Sequence, residues 1–239
     1  MLKLIVSIYI ALTNSMVYDP TKIPYWADPR IHMFGNNNKF HALVAPIFTS
    51  YLDRSVYKAD LRYHALDYFV KPLLDKNMSK VLDVGCGTGI SSRTIRKVWP
   101  NSSVLGIDTA PAMLNMAESL TSDHKLKFSF GNPHDYQMKD EEFDLATVMY
   151  VLHEAPKEAR VHMLKRLARK AKVVAMIDIS PDYNPSTAML FGEPYLLDYQ
   201  KNINRDFKRA FKHSMTHCLI PRHAHIWIGA DTKQASFLD

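Results

Sequence analysis

The stretch KVLDVGCGTGISSRT, residues 80–94, holds three of the chain's eight glycines within five residues. Glycine costs backbone entropy and adds no packing, so such a cluster indicates a turn that bends sharply or approaches another group closely. The apolar run before the turn predicts a strand, and the Ser/Thr-rich run after it predicts the start of a helix. A strand, a glycine turn and a helix N-terminus together form a cradle of the kind that binds nucleotides.

An alternation of strand and helix patterns begins at this stretch. Five apolar runs predict strands, at residues 80–84, 104–107, 125–130, 143–149 and 173–179. Helical patterns lie between them, at residues 111–120 and 156–172 among others. Strands that alternate with helices imply right-handed crossovers and a mostly parallel sheet covered on both faces, which is a Rossmann-like, doubly wound α/β fold.

The C-terminal part departs from this alternation. The segments MTHCLI and HAHIWIGA, residues 215–220 and 223–230, are separated by a short turn that contains Pro221. Two strands joined by so short a turn predict an antiparallel hairpin at one edge of the sheet.

Three segments are expected along the chain. Residues 78–239 carry the alternation and form the main domain, and residues 17–77, rich in aromatic side chains and helical in pattern, form an N-terminal helical cap. Residues 1–16 contain an apolar run that is too short to span a bilayer as a helix but long enough for the core of a signal peptide. The alternative is an apolar segment packed on the domain. The chain is therefore expected to be cytoplasmic, or secretory or organellar if residues 1–16 are a cleaved signal.

Charge and cysteine content limit the expected partners. The formal net charge of +6 allows an acidic partner, but the basic residues are spread along the chain, so nucleic acid is not an expected partner. Cys86 and Cys218 do not suggest a disulfide framework. His213 and His217 lie near Cys218, but their spacing suits a helix where a strand is predicted, so no metal site is expected.

The spacing of the glycines narrows the ligand. Gly85, Gly87 and Gly89 form a G-x-G-x-G pattern, and the position at which a dinucleotide fingerprint needs its third glycine holds Ile90. A phosphate loop would require a lysine after the turn, and none is present there. The pattern therefore favours a ligand without phosphate.

These residues resemble the class I S-adenosylmethionine-dependent methyltransferases. VLDVGCGTG is similar to the first motif of that family. The family ends its second strand where this chain has LGIDTAPAML, and it ends its third strand where this chain has FGNPHDY. The fourth strand of the family corresponds to EEFDLATVMYVLHE. The resemblance is strong over residues 78–180, weaker as far as 230 and negligible before 78. It implies S-adenosylmethionine as the cofactor.

The resemblance also implies which residues hold the amino-acid end of the cofactor. Asp83 would orient the turn and, directly or through water, the amino group of the methionine part. Gly85, Cys86 and Gly87 would bring the backbone close to the ligand, and Gly89 would keep the following helix close to the strand.

For the nucleoside end, Asp108 is implied to bind the ribose hydroxyls through its carboxylate. Thr109 and Met113 would flank the adenine, and Asn132, where the family often has Asp, can still accept a hydrogen bond from the adenine amino group. Met149, at the end of the fourth strand, would face the transferred methyl group.

Methyl transfer from a sulfonium is a direct displacement, so the protein mainly aligns donor and acceptor and excludes water. Tyr150 would face the methyl group as well. His153 is the candidate general base for an acceptor that arrives protonated, because its ordinary pKa lies near neutrality. The alternative role for His153 is structural, holding its loop through a backbone hydrogen bond.

A small-molecule acceptor, methylated on oxygen, nitrogen or sulfur, is expected from the aromatic-rich cap. The alternatives are an RNA or protein methyltransferase, and a partner protein that binds S-adenosylmethionine without turnover. A pocket of substrate size under the cap would favour the small molecule, whereas an open basic groove would favour the macromolecule. The sequence leaves the oligomeric state open.

Overall fold

The computed structural model describes residues 24–31, 37–55, 60–74, 78–131 and 142–230. The predicted leader at residues 1–16 and the predicted adenine contact Asn132 lie outside these residues.

Seven strands form one sheet, in the spatial order β3-β2-β1-β4-β5-β7-β6. The strands are β1 Lys80–Val84, β2 Ser103–Asp108, β3 Leu126–Phe130, β4 Phe143–Met149, β5 Ala171–Ile179, β6 His213–Ile220 and β7 Ala224–Ala230. The first five are parallel to one another, and β7 runs antiparallel between β5 and β6. The predicted Rossmann-like sheet and its C-terminal antiparallel hairpin are confirmed.

Seven α-helices accompany the strands within the described part of the chain. They are α1 Lys39–Ser55, α2 Leu61–Ala65, α3 Ile90–Val98, α4 Pro111–Ser119, α5 Lys157–Lys170, α6 Thr187–Gly192 and α7 Leu196–Ala210. A π-helical turn and a 3-10 turn extend α2 as far as Leu73. Short 3-10 turns lie at Tyr25–Ala27 and Leu152–Glu154. No helix of the described residues is long and apolar enough to cross a membrane.

The sheet is covered on both faces, which explains the near-continuous apolar sequence of β4. Ala146 and Val148 pack with α5 and α7 on one face, while Leu145 and Met149 pack with α2 and α3 on the other. Every residue of β4 except Asp144 is buried, as expected for a parallel strand with helices on both sides.

The strand order reverses between β1 and β4, because the chain first builds outward from β1 to β3 and then returns to the other side of β1. At such a switch point the loops after the two strands separate and leave a crevice at their carboxyl ends, where open α/β sheets bind ligands. The glycine turn follows β1, so the fold places it at the mouth of this crevice.

Candidate active site

The turn after β1 depends on backbone conformations that favour glycine. Gly85, Gly87 and Gly89 have φ angles of 69°, 51° and 78°, all in the left-handed region. A Cβ atom at Gly85 would overlap the side chain of Val151, whereas a Cβ at Gly87 would meet nothing within 4 Å. The turn therefore packs tightly against the loop after β4 at its first glycine and is open at its second.

Asp83, near the end of β1, is fully buried and anchors this turn from behind. Its carboxylate accepts hydrogen bonds from Ser91 Oγ at 2.6 Å, Ser92 Oγ at 2.5 Å and Thr147 Oγ1 at 2.8 Å. Burial raises the pKa of Asp83, and the three hydroxyl donors oppose that rise. The carboxylate thus joins β1, β4 and the start of α3.

Asp108, at the end of β2, both supports the turn and borders a cavity. Its Oδ2 accepts from the backbone N–H of Gly87 at 2.7 Å, and its Oδ1 accepts from that of Ala110 at 2.8 Å. Burial raises its pKa to about 6, the negative charge of Glu154 adds to the rise, and the backbone donors oppose it. Asp108 is therefore a partly protonated group in mildly acidic solution.

The cavity, of about 240 Å³, lies at the carboxyl ends of β1, β2 and β4 and extends under the N-terminal segment. Eight residues that the sequence assigns to the site line it: Gly85, Cys86, Gly87, Asp108, Thr109, Met113, Met149 and Tyr150. Asp83, Gly89 and His153 lie outside this lining. The fold thus brings the glycine turn, the ribose candidate and the end of β4 to one space.

Tyr150 follows β4 directly and has a φ of 59°, a conformation uncommon for a bulky residue. Its backbone N–H donates to the carbonyl of Ile177 on β5 at 2.8 Å. The guanidinium carbon of Arg62 lies 4.8 Å from the centre of the Tyr150 ring, within the range of a cation–π contact. These contacts hold the ring at the cavity wall.

His153 lies behind the cavity wall, with its ring fixed by a buried carboxylate. Its Nδ1 is 2.6 Å from Oδ1 of Asp178, whose two oxygens also accept from the backbone of Leu152 and Ile179. Burial alone would lower the pKa of His153, but the charge and hydrogen bond of Asp178, with the charges of Glu193 and Glu154, raise it to about 10. The ring is therefore protonated at neutral pH in this state, and its role as a general base stays a prediction.

The cavity has a second set of lining residues that the sequence did not assign to the site. Tyr25, Trp26, Ile31, His41, Ala45, Thr49 and Arg62 come from the N-terminal segments, and Glu154 from the loop after β4. Tyr25 and Trp26 meet edge to face with ring centres 5.2 Å apart. The aromatic composition of the cap was the available signal. For Arg62, a single sequence gives no signal that this arginine of a helical pattern lines the cavity instead of facing solvent.

Two contacts hold the N-terminal segments beside the cavity. In α1, Ala42 packs with Ala110 and Met113, so the helix lies against the start of α4. Nearer the N-terminus, Asp28 accepts a hydrogen bond from the Tyr195 hydroxyl at 3.2 Å, which joins the Tyr25–Ala27 turn to the segment before α7.

Comparison with known proteins agrees with this geometry. A family model described as a methyltransferase domain matches residues 81–183. The chain is 28% identical over 172 residues to a demethylmenaquinone methyltransferase of Thermotoga maritima, covering 67% of this chain and 70% of that protein. It is 28% identical over 134 residues to a ubiquinone biosynthesis O-methyltransferase of Hydrogenovibrio crunogenus, covering 54% of this chain and 55% of that protein.

Solved structures share the fold at low sequence identity. The plantazolicin methyltransferase BpumL, in complex with SAH, superposes with a TM-score of 0.59 at 14% identity, covering 82% of this chain and 95% of that one. Human N-acetylserotonin methyltransferase, in complex with SAM, gives a TM-score of 0.60 at 16% identity, covering 82% of this chain and 57% of that one.

The sheet order, the glycine turn and these similarities define a nucleoside-binding transferase of the Rossmann-like class. The family model, the relatives and the solved structures support a class I S-adenosylmethionine-dependent methyltransferase, with S-adenosylmethionine as its cofactor. The predicted family, enzyme class and cofactor are confirmed. The residues present fit this donor, because the turn is open at Gly87 and the Asp108 carboxylate borders the same cavity.

Proposed function

We propose that the chain transfers a methyl group from S-adenosylmethionine to a small, partly apolar acceptor, through an oxygen, nitrogen or sulfur atom. The observation that carries this proposal is the cavity itself, which is bounded by the glycine turn and Asp108 and by the aromatic side chains of the cap. The names of the two relatives, a demethylmenaquinone methyltransferase and a ubiquinone biosynthesis O-methyltransferase, support an acceptor of small-molecule size.

In this proposal four groups hold the donor. The Asp108 carboxylate accepts hydrogen bonds from the ribose hydroxyls, and the backbone at Gly85 and Gly87 approaches the amino-acid end. Arg62 lines the same cavity beside Tyr150, so its guanidinium is placed to bind the carboxylate of the methionine part. Asn132 as the adenine contact stays a prediction, because it lies outside the described residues.

When bound, S-adenosylmethionine supplies an electrophilic methyl group on a sulfonium. The chain's own contribution is alignment and the exclusion of water. Met149 and Tyr150 form the wall at the end of β4, and Tyr25 and Trp26 form the wall on the cap side. An acceptor between these walls would be desolvated and held close to the donor.

Acceptors that carry a proton need a group that removes it. Glu154 reaches the cavity itself, whereas His153 lies behind it with a proton on Nε2 at neutral pH. The predicted base role of His153 therefore requires that Nε2 lose its proton before it can accept one from the acceptor.

Calorimetric titration with S-adenosylhomocysteine, followed by a panel of phenols, amines, thiols, RNA and peptides with radiolabelled donor, tests the function. We expect donor-product binding and turnover with at least one small molecule. Asp108→Ala should weaken binding by about 2 kcal/mol, the magnitude of lost charge-assisted hydrogen bonds, whereas Asp123→Ala should not. Turnover confined to RNA or peptides would contradict the small-molecule proposal, and binding without any turnover would indicate an inactive partner protein.

A further inference from the structure

A group of potential metal ligands lies behind the cavity wall, and of its three residues only Glu154 lines the cavity. His153 Nε2 is 3.9 Å from Glu154 Oε1 and 3.9 Å from Glu193 Oε2, and all three atoms lie within 4.8 Å of one another. His153 and Glu193 are buried, and Glu154 is partly buried at the cavity wall. The three side chains come from the 3-10 turn after β4 and from the residue after α6.

We propose that His153, Glu154 and Glu193 bind one divalent transition-metal ion, Mn²⁺ or Zn²⁺, with coordination positions left open toward the cavity. One imidazole nitrogen and two carboxylate oxygens are a ligand set that suits these ions. Bonds of about 2.1 Å at near-tetrahedral angles place ligand atoms roughly 3.4 Å apart. Each pair of His153 with a carboxylate would therefore close in by about half an ångström, and the two carboxylates by no more than about 1.4 Å.

The surroundings of His153 support a ligand role. Its Nδ1 is held by the Asp178 carboxylate at 2.6 Å, the arrangement in which a second carboxylate orients a metal-binding histidine and fixes its tautomer. Binding of the ion displaces the proton from Nε2 to solvent, and the remaining proton on Nδ1 is directed to Asp178, so that the Nε2 lone pair faces the ion. Three carboxylates around one imidazole also create a negative potential, which attracts a cation as it attracts a proton.

An ion at this place would reach the cavity through Glu154, which lines it. Its open positions would take an oxygen of the acceptor, lower the pKa of a hydroxyl there and orient it. This second step rests on the proposed function, whereas binding of the ion does not. In the ion-bound state His153 would be a ligand and no longer a general base.

The test uses the full chain after chelator treatment, without donor or acceptor. Zn²⁺ is titrated by calorimetry and Mn²⁺ by the loss of the free-ion signal in electron paramagnetic resonance. We expect one ion per chain, and at least tenfold weaker binding in both Glu154→Gln and Glu193→Gln, with Asp178→Asn also weaker by roughly ten- to a hundredfold. Glu158→Gln, at an exposed position of α5, is the matched control and should bind as the wild type does.

Circular dichroism of each metal-free variant establishes that it folds, and the ion should raise the thermal midpoint of the wild type but not of the two Glu variants. The proposal is overturned if the wild type binds no ion, or if Glu154→Gln and Glu193→Gln bind it as tightly as the wild type does. The second outcome would indicate capture by other histidines. Donor binding is measured without metal and ion binding without donor, so either proposal can fail alone.

Discussion

At the scale of the single residue, the carboxylate of Asp108 has two structural roles, one in the glycine turn and one at the cavity. It accepts hydrogen bonds from the backbone of Gly87 and Ala110, which fix the turn, and it borders the cavity. Burial, with the nearby charge of Glu154, raises its pKa to about 6 against the backbone donors. Only the ionised form is a charged acceptor for hydroxyl groups, so the proposed contact with the ribose makes donor affinity depend on this pKa.

We expect the dissociation constant for S-adenosylhomocysteine to be constant above pH 7 and to rise by up to tenfold per pH unit below pH 6. The dissociation constant rises toward acid pH because protonation of the Asp108 carboxyl group removes the charged acceptor for the ribose hydroxyls. Calorimetry between pH 5 and 8 measures the effect, and Asp108→Asn should bind more weakly at pH 8 with a flatter profile. An unchanged slope in that variant would assign the titration to another group.

The proposed contact between Arg62 and the carboxylate of the donor can be tested with two ligands that differ only at the amino-acid end. S-adenosylhomocysteine has the amino-acid carboxylate, and methylthioadenosine lacks it. Arg62→Met should weaken binding of the first by about 2 kcal/mol, the value of a charge-assisted hydrogen bond, and leave the second nearly unchanged. Equal loss for both ligands in calorimetric titrations would mean that Arg62 supports the cavity wall through Tyr150 instead.

At the scale of the element, the turn between β1 and α3 combines conformational and steric demands. Gly85 and Gly87 have the same left-handed backbone, but only Gly85 has a neighbouring side chain, Val151, in the place of a Cβ atom. Substitutions at these two glycines therefore distinguish the cost of backbone strain, which both share, from the cost of steric overlap, which only Gly85 has.

Gly87→Ala should lower the free energy of unfolding by about 1 kcal/mol, the strain of a left-handed alanine. Gly85→Ala should lose a further 1–3 kcal/mol or so, because the new methyl group must displace Val151. Urea denaturation followed by circular dichroism compares them. Equal losses of unfolding free energy in the two variants would show that the loop after β4 moves to accommodate the new methyl group at no cost.

At the scale of the whole molecule, a buried ion pair joins two helices that cover one face of the sheet. Arg160 on α5 is fully buried, and its Nη2 lies 2.9 Å from Asp206 and 2.8 Å from Asp198, both on α7. Arg205 contacts the same Asp206 at 3.7 Å, but its side chain is 49% exposed. The two arginines share a partner and differ in burial.

Arg160→Met should destabilise the fold by about 3 kcal/mol, because it leaves Asp206 buried without its closest cation. Arg205→Met is the matched control and should change stability by less than about 0.5 kcal/mol, since water screens the exposed pair. Urea unfolding curves of both variants give the comparison. A small loss for Arg160→Met would mean that α7 shifts to expose Asp206 to water.

The elements with strong local patterns were predictable from sequence. The apolar runs at β1, β2 and β4 and the glycines after β1 follow from burial on two faces and from left-handed backbone angles. The predicted helix over residues 156–172 is shorter in the structure, where α5 ends at Lys170 and β5 begins at Ala171. Pairing with β4 at Ala171 extends the strand, and a local pattern does not contain that pairing.

The sequence by itself determined the strands β1, β2 and β4, the glycine turn and the acid at the end of β2, because each depends on neighbours only a few residues away. Tertiary structure alone decided that Arg62 lies against the ring of Tyr150 at the cavity wall and that His153 lies behind that wall, held by Asp178. It also decided that Glu193 meets Glu154 and His153. These contacts join segments that are far apart in the chain. The side chains become buried and meet their charged partners only when the helices and strands pack together.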